Sequence, residues 1–160
     1  VSVTTTADVQ RALGFTDAQY IAWTAIHEIG HAVAGEAAGM KVRKIEINAR
    51  KGRIHGGRVV CAPNHDIHAN LVCAHGGHIA QDLWMRQYGL ITSHRLSISR
   101  TSSRADLDKV AQYQPNPQAG IQAEDDARRL LGASWPRVIR ATNVLMAEAK
   151  LSGRQLARIR

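Results

Sequence analysis

The chain has 160 residues, 44% of them hydrophobic and 21% charged, a balance that suits one folded domain and excludes a disordered tract. No run of 18 apolar residues occurs, and the opening VSVTTTADVQ has neither a basic head nor an apolar stretch, so a cytoplasmic protein is expected. The net charge is +8, but its denser stretches, Lys41 to Arg53 and Lys150 to Arg160, are not interleaved with aromatic side chains; they read as solvated faces, and nucleic-acid binding is not expected.

Aromatic residues make up only 4% of the chain, which leaves Ala, Ile, Leu and Val to fill the core and favours packed helices. Cys61 and Cys73 are too few for a disulfide framework, so a buried pair of free thiols is expected. The first helix signal is Thr16, a cap for a helix opening at Asp17. Tyr20, Trp23, Ile26, Ile29 and Val33 then recur at helical spacing as far as Gly39. Val42, Ile45 and Ile47 on one face with charges opposite, a turn at Gly52 and the run Ile54 to Cys61 predict two strands joined as a hairpin. Helical spacing resumes from Asp66 to Tyr88, where Gly76 and Gly77 permit another backbone to come close. Gly89 to Ser103 is polar and reads as a loop. A short helix from Ala105 to Tyr113 follows, with Ser102 or Ser103 as its cap. Pro115 and Pro117 break the chain before two last helices, about Gln118 to Leu131 and Pro136 to Arg158, the second punctuated at Ser152-Gly153. The expected fold is a single domain over residues 1–160, mainly α with a small β-sheet (α+β), its hairpin or edge strand lying near the site.

The segment with chemical content is His27-Glu28-Ile29-Gly30-His31. Four residues advance an α-helix by about 400°, so the two imidazoles stand about 40° apart on one face, where both can bind one cation. Glu28 is turned about 100° from His27, within reach of a water beside the cation but directed away from ligation. Two histidines flanking a glutamate in this way are a zinc-hydrolase pattern; the competing reading is a helix with two hydrogen-bonded histidines. Zinc needs a third protein donor and an open position. Spacing leaves that donor open among His55, His65, His68, His75, His78, His94, Asp66, Asp82, Asp106 and Asp108. Glu36 lies about 140° from His31 on the same helix and faces away.

The segments AWTAIHEIGHAVAGEAAG, KVRKIEINARKGRIHGGRVVCAPN, AHGGHIAQDL, SSRADLDKVAQ and VLMAEAKLSGRQLARI resemble, in this order, parts of the FtsH-type peptidases, the zinc-dependent proteolytic domains of membrane-bound AAA proteases. The resemblance covers most of the chain. It implies that His27, His31 and Asp106 are Zn2+ ligands and that Glu28 is the general base, Asp106 standing 79 residues beyond His27. Asp108, about 200° further round the same helix, is then a solvated carboxylate. The implied activity is that of a zinc metalloendopeptidase acting on a peptide or unfolded protein, which lies extended beside Ile54 to Cys61. His94 is a candidate donor to the oxyanion.

The chain departs from the family pattern at three places. Gln81 and Asp82 replace a Glu-Glu pair, Arg100-Thr101-Ser102-Ser103 replaces Thr-Gly-Ala, and no phosphate-binding loop of an ATPase occurs, so ATP-driven unfolding is expected to be absent or to come from a separate chain. Two other readings compete. One is a regulatory peptidase of the ImmA/IrrE type, which often carries His-Glu-Ile-Gly-His; the Glu-x-x-Ala-x-x-Phe-Ala-like segment expected of it is not found. The other is a metal-stabilised basic binding module without turnover, which salt-dependent DNA binding without chelator-sensitive cleavage would reveal.

Overall fold

Helix formation begins earlier than Thr16. In the computed structural model, which describes residues 5–113 and 116–160, Thr5 and Asp8 form a reciprocal capping box that opens α1 (Thr6–Leu13). Gly14, at φ 65°, ends it in the left-handed conformation that glycine adopts without a Cβ penalty. Few apolar residues mark this helix, and a polar cap pair rather than periodicity defines it. A second capping box, Thr16 with Gln19, opens α2 (Asp17–Ala37), as the sequence suggests.

The hairpin forms as expected: β1 (Val42–Arg50) pairs antiparallel with β2 (Arg53–Cys61). Val42, Ile45 and Ile47 are all buried even though the step from 42 to 45 breaks strict alternation; a register shift between Val42 and Lys44 absorbs the odd residue. Next come α3 (Ile67–Gln87), capped by Asp66, then α4 (Ser93–Ser102), α5 (Arg104–Tyr113) and α6 (Pro117–Ala133). The chain closes with α7 (Trp135–Glu148), β3 (Lys150–Ser152) and α8 (Gly153–Arg158). The fold is mainly α with a three-stranded antiparallel sheet of order β2-β1-β3, which leaves β2 on an edge.

Three expectations are corrected. Gly89 to Ser103 is not a loop throughout, because Thr92 caps α4 and the helix is tied down by polar contacts. Buried Ser99 donates to Gln81 at 3.0 Å, and Arg95 donates to the carbonyls of Leu13 and Leu90 while lying over the Phe15 ring. The last helix does not run from Pro136 to Arg158. It stops at Ala149, whose φ is 58°, and Lys150 to Ser152 join β1 as a third strand before Ser152 caps α8. Gly153 permits this turn, since a Cβ there would collide with the Val42 carbonyl. Neither Ser102 nor Ser103 caps α5 through its hydroxyl; the Ser103 carbonyl accepts from Asp106 and Leu107, and its buried Oγ has no partner among the described residues. Pro115 lies outside the described residues, while Pro117 opens α6.

The core runs along α2. Ile26, Ile29 and Val33 are fully buried, and Ile79, Leu131, Val138 and Leu145 from α3, α6 and α7 join the same cluster. Each such side chain contributes about 1.5–3 kcal/mol of transfer free energy. α2 and α3 cross with their backbones in contact at Gly30 and Gly76, where a Cβ on either glycine would strike the other's carbonyl. That crossing brings α3 against the helix face bearing both histidines. Among the described residues, no helix is long and apolar enough to cross a membrane.

Candidate metal centre

One turn of α2 presents His27 and His31 on the same side, their Nε2 atoms 2.9 Å apart. Asp106, in the first turn of α5, completes a triangle: its Oδ2 lies 3.3 Å from His27 Nε2 and 3.2 Å from His31 Nε2. Donors held at about 2.0–2.1 Å around a tetrahedral ion lie about 3.3 Å from one another, so the spacing suits a single small cation. The donor set of two imidazoles and one carboxylate is of the kind that zinc takes with a position left over. Among the described residues these three form the one group of His, Cys, Asp or Glu side chains close enough to share an ion.

Neighbouring groups orient the ligands. His31 Nδ1 donates to the Cys73 carbonyl of α3 at 2.7 Å, which fixes the tautomer and leaves Nε2 with its lone pair toward Asp106 and His27. Gly77 lies over both rings: a Cβ there would fall 2.5 Å from His31 Nε2 and 2.6 Å from His27 Cε1. Burial opposes a charge on His31, but hydrogen bonding and attraction to Asp106 outweigh it and raise its pKa. Burial likewise opposes the Asp106 anion, and the two histidines overcome it, holding the carboxyl below the usual range.

Glu28 is buried beside this triad and accepts no protein hydrogen bond among the described residues. Its carboxyl is pushed upward by burial, against the pull of His27 and His31. Gly57 of β2 closes over it so tightly that a Cβ would lie 2.6 Å from Glu28 Cγ. Two cavities meet at Glu28 and Gly57. One of about 410 Å³ is lined by Arg58, Cys61, Asn70, Cys73 and Lys109 together with the triad. The other, of about 560 Å³, has an apolar wall from Val9, Tyr20, Trp23 and Ile98.

The other candidate ligands lie elsewhere. His68 pairs with Asp126 at 2.9 Å, Asp66 caps α3, Asp108 is exposed, and Glu36 points away to Arg137 at 2.8 Å. His55 and His65 are exposed, while His75, His78 and Asp82 are buried on α3 without joining the triad. His94 lines the apolar cavity and bonds the Ala12 carbonyl at 3.1 Å. Gln81 is a structural link, donating to the Trp23 carbonyl and accepting from Ser99. Sequence reasoning missed the Cys73 carbonyl and the roles of Gly57 and Gly77. A main-chain acceptor leaves no mark in the residue string, whereas the glycines in Gly56-Gly57 and Gly76-Gly77 were a visible signal of close approach.

No protein-family model matches the chain, and no curated protein matches it.

Proposed function

We propose that the chain is a zinc-dependent metalloendopeptidase, similar in its site to the FtsH-type peptidases. The observation that carries this reading is the convergence of His27, His31 and Asp106 from helices distant in sequence, with the carboxylate of Glu28 beside them and outside the ligand set. When bound, Zn2+ supplies Lewis-acid chemistry, polarising the scissile carbonyl and making a nearby water acidic near neutral pH.

The protein's own groups do the rest. Glu28 accepts a proton from the attacking water and returns it to the departing amine; its raised pKa suits both directions of transfer. The free edge of β2 offers backbone donors and acceptors along which an extended peptide can lie, so sequence tolerance and strand pairing go together. The substrate class is therefore an unfolded or extended protein segment. A separate ATPase or regulatory chain is the partner that the resemblance suggests, and the cytoplasm is the compartment in which both thiols stay reduced.

Zinc loading tests the reading directly. The chain with one equivalent of zinc is expected to cleave casein, a chelator to stop it, and Glu28→Gln to keep its zinc while cleavage falls about 10²–10⁴-fold. Full cleavage by the Gln variant, or a chain that binds no zinc, would refute the proposal.

A further inference from the structure

Charge is unevenly placed on the fold. The hairpin segment Lys41 to Arg58 and the closing segment Lys150 to Arg160 together hold eleven of the 21 basic side chains and, in Glu46, one of the 13 acidic ones. Far apart in sequence, they meet on one side of the molecule because β3 pairs with β1 and α8 packs on β1. Glu46 sits between Arg58 and Lys150 on the neighbouring strands and is bonded to both Lys44 and Arg58, so its charge is matched and a positive excess remains. The sheet ends at β2, the free edge beside the candidate metal centre. Arg58 of β2 borders the cavity that holds the triad, and so does Lys109 of α5. Lys109 stands one turn beyond Asp106, about 300° round the helix and so within about 60° of its direction. It is exposed and forms no ion pair among the described residues. The acids bordering the same cavity, Glu28 and Asp106, belong to the hydrolytic centre.

A cation with no counter-ion of its own in a cleft can take one from a bound chain, and complementary charge then selects which chains bind. We infer that the cleft selects acidic extended segments, Lys109 being the residue that pairs with a carboxylate of the bound chain. The inference rests on the peptidase reading above and narrows its substrate class. Strand geometry favours a polypeptide as the occupant. A segment paired along β2 turns every second side chain to the outer face of the sheet, the face of Arg58, whose neighbours Gly57 and Val59 point inward. Arg50, Lys51 and Arg53 at the hairpin tip carry the positive field beyond the cleft, which suits carboxylates spread along a chain rather than a single C-terminal one. Nucleic acid fits less well, because among the described residues no Phe, Tyr or Trp borders this cavity to stack on a base.

The test uses the zinc-loaded full chain and short fluorescein-labelled peptides, amidated at the C-terminus, that differ only in having Asp, Asn or Lys at alternate positions. Anisotropy at low salt is expected to show the Asp peptide bound about tenfold tighter than the Asn peptide, the sum of two or three exposed ion pairs, with the Lys peptide weakest. The margin closes as salt is raised. Lys109→Glu is expected to cut the margin to about threefold or less. Arg140→Glu, the same charge change at an exposed position that borders neither cavity, keeps it within about twofold. Lys109→Met adds no acid beside the triad and is expected to lose about half of the margin on a logarithmic scale; it decides the point if the Glu variant fails to hold zinc. Four results overturn the inference: equal binding of the Asp and Asn peptides, an Asn peptide made as tight by a free C-terminal carboxylate, displacement of the Asp peptide by a single-stranded oligonucleotide of equal charge, or a full margin in Lys109→Met. An equal loss in Lys109→Glu and Arg140→Glu does so too, since net charge and not Lys109 would then be selecting. A chain that prefers the Asp peptide but cleaves none of them removes the hydrolytic reading and keeps the charge selection. One that binds and cleaves the Asp and Asn peptides alike keeps the hydrolytic reading and removes the selection.

Discussion

A methyl group at Gly77 would sit 2.5 Å from His31 Nε2 and 2.6 Å from His27 Cε1, so Gly77→Ala must turn both rings away from the position they share with Asp106. Overpacking of this kind costs about 1–3 kcal/mol, and each 1.4 kcal/mol is about tenfold in affinity. Gly77→Ala is therefore expected to weaken zinc binding about tenfold or more, as titration calorimetry would show. Gly57→Ala acts from the opposite side. Its Cβ would meet Glu28 Cγ at 2.6 Å and leave the three ligands untouched, so zinc affinity should hold while kcat falls. If both substitutions weakened zinc binding alike, Glu28 and the ligands would not be the separate groups that the geometry describes. The contrast matters because burial, not a ligand, sets the acidity of Glu28: displacing it alters proton transfer without altering the cation.

At the level of elements, α3 carries an unusual buried polar face. His75, His78 and Asp82 lie at spacings of three and four residues, and both His75 ring nitrogens, His78 Nδ1 and Asp82 Oδ1 have no partner among the described residues. Burial raises the Asp82 carboxyl to about 6, with Arg100, Arg128 and Arg86 only partly compensating. Because the folded pKa lies above the unfolded one, the folded chain holds more protons between pH 4 and 6, and stability falls as pH rises through that window. The ceiling on this loss is about 3 kcal/mol. Asp82→Asn removes the charge but leaves an amide to be satisfied, so a gain of about 1–2 kcal/mol at pH 7.5 is expected, vanishing near pH 4. Urea midpoints at the two pH values would decide it; equal midpoints for both chains at pH 7.5 would show that the Asp82 charge costs nothing.

The elements also show what a residue string can and cannot carry. α2, β1, β2 and α3 were legible because apolar periodicity defines them, and His27 with His31 was legible because four-residue spacing alone fixes their common face. α4 was not, since its inward contacts are Ser99 to Gln81 and Arg95 to two carbonyls, neither of which marks a helix by hydrophobicity. β3 was hidden for a different reason: Lys150 to Ser152 becomes a strand only because β1 has a free edge to receive it. Asp106 stood out from ten candidates through resemblance rather than spacing, because a contact spanning 79 residues is a property of the fold.

Across the whole molecule the candidate centre joins an element of the core to one with little hold on it. α2 is buried along most of its length, whereas α5 has Val110 as its buried apolar side chain among the described residues. A cation bound by His27, His31 and Asp106 would supply the attachment that packing does not. At a free zinc concentration a thousandfold above Kd, binding stabilises the native state by about 4 kcal/mol, or roughly 10 °C in Tm for a chain this long. The local effect is expected to be larger than the global one. On chelation, hydrogen exchange should accelerate about a hundredfold or more at residues 104–113 and change little in the middle of α2, because local opening of a weakly packed helix no longer has to break metal bonds. Exchange monitored by mass spectrometry with and without zinc reads both regions at once. Uniform acceleration across the chain would mean that the cation holds the entire fold, and no acceleration at 104–113 would mean that Asp106 is not a ligand.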